Sequence, residues 1–131
     1  MTADPHEAGA RRQGAERRGR RAETVAAWLL RLKGYRVLAR RYRTSAGEID
    51  LIVARGRSIV FVEVKSRPTA EAAIDAVTAR SRRRIARAAE VWLAAHPAAA
   101  GRDLRFDVVM ALPGRWPRHL AAAFDARGEP W

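Results

Sequence analysis

Three residues stand out for their chemistry: Asp50, Glu63 and Lys65. They lie in two segments that alternate apolar and polar residues, Gly47 to Ala54 and Ser58 to Lys65. Period-2 alternation is the signature of half-buried strands. The turn between them is Arg55-Gly56-Arg57-Ser58. With Gly56 and Arg57 as a two-residue loop, Gly56 takes the first central position of a type II′ turn, where φ must be positive. That register sets Asp50 opposite Glu63 and Glu48 opposite Lys65. Side chains two residues apart on a strand share a face, so all four point the same way.

Two carboxylates facing each other across a hairpin repel, and their apolar neighbours raise the cost. A hard divalent cation held between them removes the conflict, and Mg²⁺ prefers oxygen ligands. Lys65 adds a positive charge able to orient a water or stabilise a developing charge. The competing reading is a solvated charged face with Glu48–Lys65 and Glu63–Lys65 ion pairs. Spacing alone leaves the two readings close to balance.

An acid in one strand followed by Glu63-Val64-Lys65 in the next resembles the core motif of the PD-(D/E)xK nuclease superfamily. The proline of that motif is missing, and Glu48-Ile49-Asp50 stands in its place. The fuller strings, Gly47-Glu48-Ile49-Asp50-Leu51-Ile52 and Val60-Phe61-Val62-Glu63-Val64-Lys65-Ser66-Arg67, are similar to the uncharacterised bacterial proteins of the YraN type. Those proteins in turn resemble archaeal Holliday-junction resolvases. The resemblance spans about residues 19 to 125. It implies a restriction-endonuclease-like α/β/α core and a catalytic set of Asp50, Glu63, Lys65 and Glu23. It also implies Mg²⁺ or Mn²⁺ on Asp50, Glu63 and Glu23, with the Val64 carbonyl as a further ligand. The implied activity is metal-dependent hydrolysis of nucleic-acid phosphodiesters, with branched DNA as a candidate substrate, and a homodimer is expected by the same resemblance. The alternative is a nucleic-acid-binding protein that keeps the fold without catalysis. A third class, a basic module for binding another protein, rests on charge alone.

The elements that must position these residues follow from pattern. Residues 1–18 read as a disordered basic arm, interrupted by Pro5, Gly9 and Gly14. From Arg20 to Lys33, Ala22, Val25, Ala26, Leu29 and Leu30 keep a 3.6-residue period, and Gly34 closes the helix. Glu23 falls at the edge of that apolar stripe. The resemblance carries it to the metal site, and an ordinary boundary Glu is the competing reading. Tyr35 to Tyr42 alternates as a first strand. Pro68 stops the second hairpin strand, and Glu71 to Ala76 is a short helix or loop. Thr78 to His96 is a long helix ended by Pro97, its stripe running through Ile85, Ala88, Ala89 and Trp92. Arg105 to Ala111 is nearly continuous in apolar residues, as an inner strand is. His119 to Phe124 is a last strand. The order, a helix, three strands, a helix and one or two strands, predicts an α/β fold with a mixed central sheet. One domain, residues 19–125, is flanked by the arm and a short tail, 126–131.

Arginines surround this frame. Arg40, Arg41 and Arg43 cluster beside Tyr42, and Arg67 follows Lys65. Arg80, Arg83 and Arg87 form an outward ridge on the long helix. Arg82 falls on the inward face instead, and a buried Arg needs an anion, for which the Asp50/Glu63 pair is a candidate. These eight arginines are the expected phosphate contacts, a mode that reads backbone rather than bases. Asp107 is expected to support the sheet or a basic neighbour.

The chain has 131 residues and a net charge of +12. That excess points to an acidic partner, nucleic acid first. Only Lys33 and Lys65 are lysines, among 26 basic residues, so Lys65 is a lysine kept where arginine is the common choice. There is no cysteine, which excludes disulfides, thiolate zinc sites and thiol nucleophiles. The histidines, His6, His96 and His119, have no metal-ligand spacing. No apolar run reaches the about 20 residues that span a bilayer, so a cytoplasmic, membrane-free protein is expected.

Overall fold

The computed structural model describes the backbone of residues 5–130, with side chains described at residue 17 and from residue 19 onward. Five strands form one mixed sheet in the order β1-β2-β3-β4-β5. They are β1 (Arg36–Arg43), β2 (Glu48–Arg55), β3 (Ser58–Ser66), β4 (Asp103–Ala111) and β5 (Arg118–Phe124). Every neighbouring pair is antiparallel except β3 and β4. A parallel pair needs a long crossover. Here it is made by α2 (Ala70–Asp75) and α3 (Ala79–Ala95), which cover one face of the sheet. The helix α1 (Pro5–Leu32) covers the other face. The result is the α/β/α architecture with a mixed sheet that the sequence predicts.

The two faces differ in content. Under α3 the core is aromatic: Phe61 meets Trp92 edge-on at 5.9 Å and stacks on Phe106 at 5.2 Å. Under α1 it is aliphatic, with Ala26, Ala27 and Leu30 packed on Leu51, Val53, Val60 and Val62. The helix ends follow local chemistry. Gly34 adopts φ +91°, Gly34 N–H donates to Arg31 O, and Tyr35 N–H donates to Leu30 O at 2.9 Å. That bond pattern is a Schellman motif, which needs the left-handed residue. Thr69 and Thr78 cap α2 and α3 by accepting from Ala72 N–H and Ser81 N–H, each at 3.1 Å.

Three expectations need correction. The first is the basic arm. From Pro5 onward the chain is part of α1 rather than an irregular segment. Ala, Arg, Glu and Gln favour the helix there, against a cost of about 1 kcal/mol for each of Gly9 and Gly14. Residues 1–4 lie outside the described ones. The second is the stripe on α1, which is rotated. Val25 is 42% exposed while Ala27 and Glu23 are buried, so Glu23 lies within the buried stripe rather than at its edge. The third is the tail. Pro130 bridges Phe124, and Gly128 packs so tightly on α3 that a Cβ would lie 2.9 Å from Arg83 N. Trp131 lies outside the described residues.

Candidate active site

The hairpin register is the predicted one. Arg55 pairs with Ser58 and Leu51 with Val62, and Gly56 alone of the two loop residues has positive φ, +57°. The ladder stops at Leu51 and Val62. One step further, where Asp50 and Glu63 face each other, the Asp50 side chain enters the gap. Its Oδ2 accepts from Val64 N–H at 2.8 Å. A side-chain oxygen thus replaces the strand carbonyl that a continued ladder would supply.

Strand β1 bends to match. Tyr35 and Val37 pack toward α1, whereas Ala39 and Tyr42 pack toward α3. Two irregularities make the switch: a bulge between Val37 and Ala39, and a left-handed Arg41 at φ +51°. Arg40 pairs with Leu51 and Tyr42 with Ile49, while Arg41 and Asp50 between them are unpaired in the ladder. On β2 the alternation breaks at the same place, because Ile49 and Ile52 share the α3 face. A non-glycine residue in the left-handed region costs roughly 1–2 kcal/mol, and such strain clusters at functional sites.

The strained Arg41 presents its side chain to α1. Its Nε donates to Glu23 Oε2 at 2.6 Å. Arg40 reaches the same helix and donates to Thr24 Oγ1 at 3.2 Å. Glu23 is therefore brought close to Asp50, near enough for its charge to act there, but its carboxylate is paired with Arg41. Lys65 Nζ lies 3.2 Å from Glu63 Oε1. Of the two ion pairs in the solvated-face reading, Glu63–Lys65 forms, while Glu48 makes a longer contact of 3.7 Å with Arg43 on the surface.

Electrostatics mark Asp50. Burial and then the Glu63 charge push its pKa up from 3.8 to about 8, against the pull of the Val64 N–H bond. At neutral pH Asp50 therefore holds a proton beside the Glu63 carboxyl. A divalent cation could take the place of that proton, and this is the observation by which Asp50 and Glu63 fit one. Among the described residues no three His, Cys, Asp or Glu side chains gather at a metal site. The fit is thus to a two-carboxylate site. Mg²⁺ suits it, since Mg²⁺ keeps several waters and is commonly bound by one or two carboxylates.

Two polar clefts open beside the acids, and Glu48 lines both. The cleft under α1, about 450 Å³, is lined by Gly19, Arg20, Glu23, Arg41 and Arg43. The cleft under α3, about 300 Å³, is lined by Glu63, Ser81, Arg84 and Ile85. Arg84 and Arg20 are site residues that sequence reasoning passed over. The signal for Arg84 was Gly47. A Cβ on Gly47 would lie 2.5 Å from the Arg84 carbonyl oxygen, so only glycine lets the 44–47 turn rest on α3. Thr44 Oγ1 holds that turn by accepting from Ala46 and Gly47 N–H. Gly47→Ala should lower stability by about 1–3 kcal/mol through overpacking, measurable as an earlier urea midpoint. An unchanged midpoint would mean that the turn can move off α3.

The other arginines divide. Arg80, Arg83 and Arg87 are exposed along α3, as the predicted ridge requires. Arg67 is exposed, and among the described residues its side chain bonds only its neighbour's carbonyl, Ser66 O. Arg82 does not serve the acid pair. Its Nε donates to Gly128 O and its Nη1 to Val77 O, both at 2.8 Å. Its need for an acceptor is met by two backbone carbonyls, so it ties the tail to α3.

No helix among the described residues is long and apolar enough to cross a membrane. A model of an uncharacterised protein family, UPF0102, matches residues 22–111, which include both hairpin strands, Glu23 and α3. The chain is 56% identical over 124 residues to a UPF0102 protein of Methylorubrum extorquens, covering 95% of this chain and 97% of that one. It is 53% identical over 125 residues to one of Methylobacterium nodulans, with the same coverage of 95% and 97%. A relative from Parvibaculum lavamentivorans is 58% identical over 110 residues, covering 84% and 83% of the two chains. With a family match over most of its length and relatives of this similarity, the chain belongs to the uncharacterised protein family UPF0102.

Proposed function

We propose that this protein is a Mg²⁺- or Mn²⁺-dependent endonuclease of the PD-(D/E)xK type, acting on nucleic acid, with DNA as the first candidate. The observation that carries the reading is the Asp50–Glu63 pair. Two carboxyls are forced together where the ladder ends, one of them with its pKa raised to about 8. Lys65 stands 3.2 Å from Glu63, and arginine-lined clefts open on both sides. Asp50 and Glu63 would hold the ion, and the Val64 carbonyl would add a ligand from the same strand. When bound, the ion supplies Lewis acidity toward a phosphoryl oxygen and a water. Lys65 orients the attacking water and stabilises charge that develops on the phosphate. Arg20, Arg41, Arg43 and Arg84 hold the backbone on either side, with Arg40, Arg67 and the Arg80/Arg83/Arg87 ridge extending the contact. Glu23 is kept in place by Arg41 and joins the site only if that pair opens.

A second reading has its own support. Arg41–Glu23 at 2.6 Å and Lys65–Glu63 at 3.2 Å already partner two of the acids, as in a binding protein that keeps the fold without catalysis. The deciding experiment is cleavage of labelled four-way junction, flap, linear duplex and single-stranded substrates, with Mg²⁺ or Mn²⁺ and with chelator. Glu63→Ala and Lys65→Ala are run beside the wild type. Metal-dependent cutting by the wild type, lost in both variants, is expected. Salt-sensitive binding by all three proteins without cutting of any substrate would replace the enzyme with the binding protein.

A further inference from the structure

At the opposite end of the sheet from Asp50, beside the hairpin turn, lies a third pocket of about 300 Å³. Ala54, Ile59, Ala99 and Trp92 make an apolar floor, and Arg36, Arg102 and His96 stand around it. None of its lining residues is acidic. The floor is rigid. Trp92 is nearly buried, held edge-on by Phe61 and stacked under His96 at 4.2 Å and 15°. The His96 ring is fixed in turn, since Nδ1 lies 2.7 Å from Trp92 O. A carbonyl only accepts, so Nδ1 carries the proton. Arg102 spends one Nη1 donor on Gly56 O at 3.2 Å. Arg36 makes no ion pair among the described residues.

The pocket also adjoins the open edge of the sheet. The strand β1 is outermost in the order β1-β2-β3-β4-β5, so one side of its backbone has no strand partner among the described residues. Arg36 and Leu38 of that strand line the pocket, and the bulge between Val37 and Ala39 turns Leu38 into the wall, where it stays 41% exposed. An apolar floor ringed by cations takes an apolar group with an anion attached directly to it. Beside an unpaired strand edge, an extended peptide can add backbone hydrogen bonds while one side chain fills the pocket.

We infer that this pocket docks the C-terminal tail of a partner protein, one that ends in a large apolar or aromatic residue preceded by acidic residues. The terminal side chain lies on the Trp92 floor, and the α-carboxylate meets Arg36 and Arg102. The preceding acids follow the edge of β1. This surface does not depend on the acid pair, so it stands or falls separately from the nuclease reading.

The test is fluorescence anisotropy with the full chain and a labelled peptide, Asp-Glu-Asp-Gly-Leu-Phe, bearing a free C-terminus. Two control peptides keep the composition. One has an amidated C-terminus, and the other moves the Phe to the second position. A protein of net charge +12 attracts any acidic peptide, so the controls decide. Saturable binding that weakens about tenfold or more with either control, and similarly with Arg36→Ala or Arg102→Ala, is expected. Asp50→Asn should leave it unchanged. Equal binding of all three peptides, or no binding of the first, overturns the assignment. The peptide-side controls keep the test valid even if one protein variant folds poorly.

Discussion

Asp50→Asn should make the metal-free protein more stable at alkaline pH while abolishing cleavage. In the folded protein the Asp50 carboxyl titrates at about 8, because burial and then Glu63 disfavour its charge. In the unfolded chain it titrates near its ordinary 3.8. Between these values the folded state holds a proton that the unfolded state has released. Stability from this group is therefore full in acid and falls as pH rises from about 4 to about 8. Asparagine never ionises and keeps the local bonds, since its Oδ1 can accept from Val64 N–H and its amide can donate to Glu63. The variant should match the wild type near pH 4 and exceed it by about 1–3 kcal/mol near pH 8.5, a cautious share of one to two pKa units at 1.36 kcal/mol each. Urea midpoints at the two pH values measure this. Mn²⁺ should have the opposite pattern. At about 100 times its Kd it would add roughly 2.7 kcal/mol to the wild type, with little effect on the variant. A gap between the two proteins that does not grow with pH would mean that Asp50 is charged in the fold. An equal response to Mn²⁺ would mean that the pair is not a metal site.

The parts of the site that were legible in the sequence are those fixed by short-range rules. Gly56 dictates a two-residue turn, the turn dictates register, and register sets Asp50 against Glu63. Likewise Thr78 and Pro97 bracket α3, and Gly34 closes α1. The parts that were not legible arise where a ladder breaks. Period-2 reading assumes an uninterrupted strand, but β1 is bulged at Leu38 and left-handed at Arg41. Arg40 and Arg41 therefore both serve α1, which alternation forbids. The break has a parallel on the other side of the sheet. Asp107 lies at a shift in the β4–β5 register, opposite a left-handed Ala122 at φ +53°, and accepts Ala122 N–H at 2.9 Å. At both places an aspartate fills a gap in the hydrogen-bond ladder. At Asp50 the gap is edged by another acid and is electrostatically tense. At Asp107 it is edged by donors. Arg82 shows a different limit. A helical wheel gives the face of a residue and not its partners, and one of the two partners here is a carbonyl 46 positions away.

Asp107→Ala should be the most damaging single change to stability. The side chain is fully buried and accepts four hydrogen bonds. Arg105 donates two, from Nε and Nη2, each at 2.8 Å. His119 Nε2 donates one at 2.6 Å, and Ala122 N–H the fourth. The network extends outward, since Arg105 also donates to the Tyr35 hydroxyl. Because Nε2 carries the proton, His119 Nδ1 is left to accept from the Lys33 ammonium at 2.9 Å. Burial alone would raise the Asp107 pKa, but His119, Arg105 and the Ala122 amide outweigh it and hold the carboxyl below its ordinary value. Alanine removes the carboxylate shared by the partly exposed Arg105 guanidinium and the nearly buried His119 imidazole, and leaves Arg105 only the Tyr35 hydroxyl. Breaking a buried pair from one side costs about 3–5 kcal/mol, or roughly 10 °C or more in Tm for a domain of this size. A group with a lowered pKa stabilises above its unfolded value and loses that contribution as pH falls through the folded one. The deficit should therefore be constant from pH 5 to 7 and shrink in stronger acid. Asp107→Asn should cost less, because Oδ1 still serves Ala122. Its amide, however, would turn His119 to the other tautomer and set a ring N–H against Lys33. The damage should reach the acids, since Asp107 pairs with Val62 and Val108 with Glu63 across the β3–β4 ladder. A wild-type Tm in Asp107→Ala, or a deficit that does not change with acid, would show that the network is dispensable.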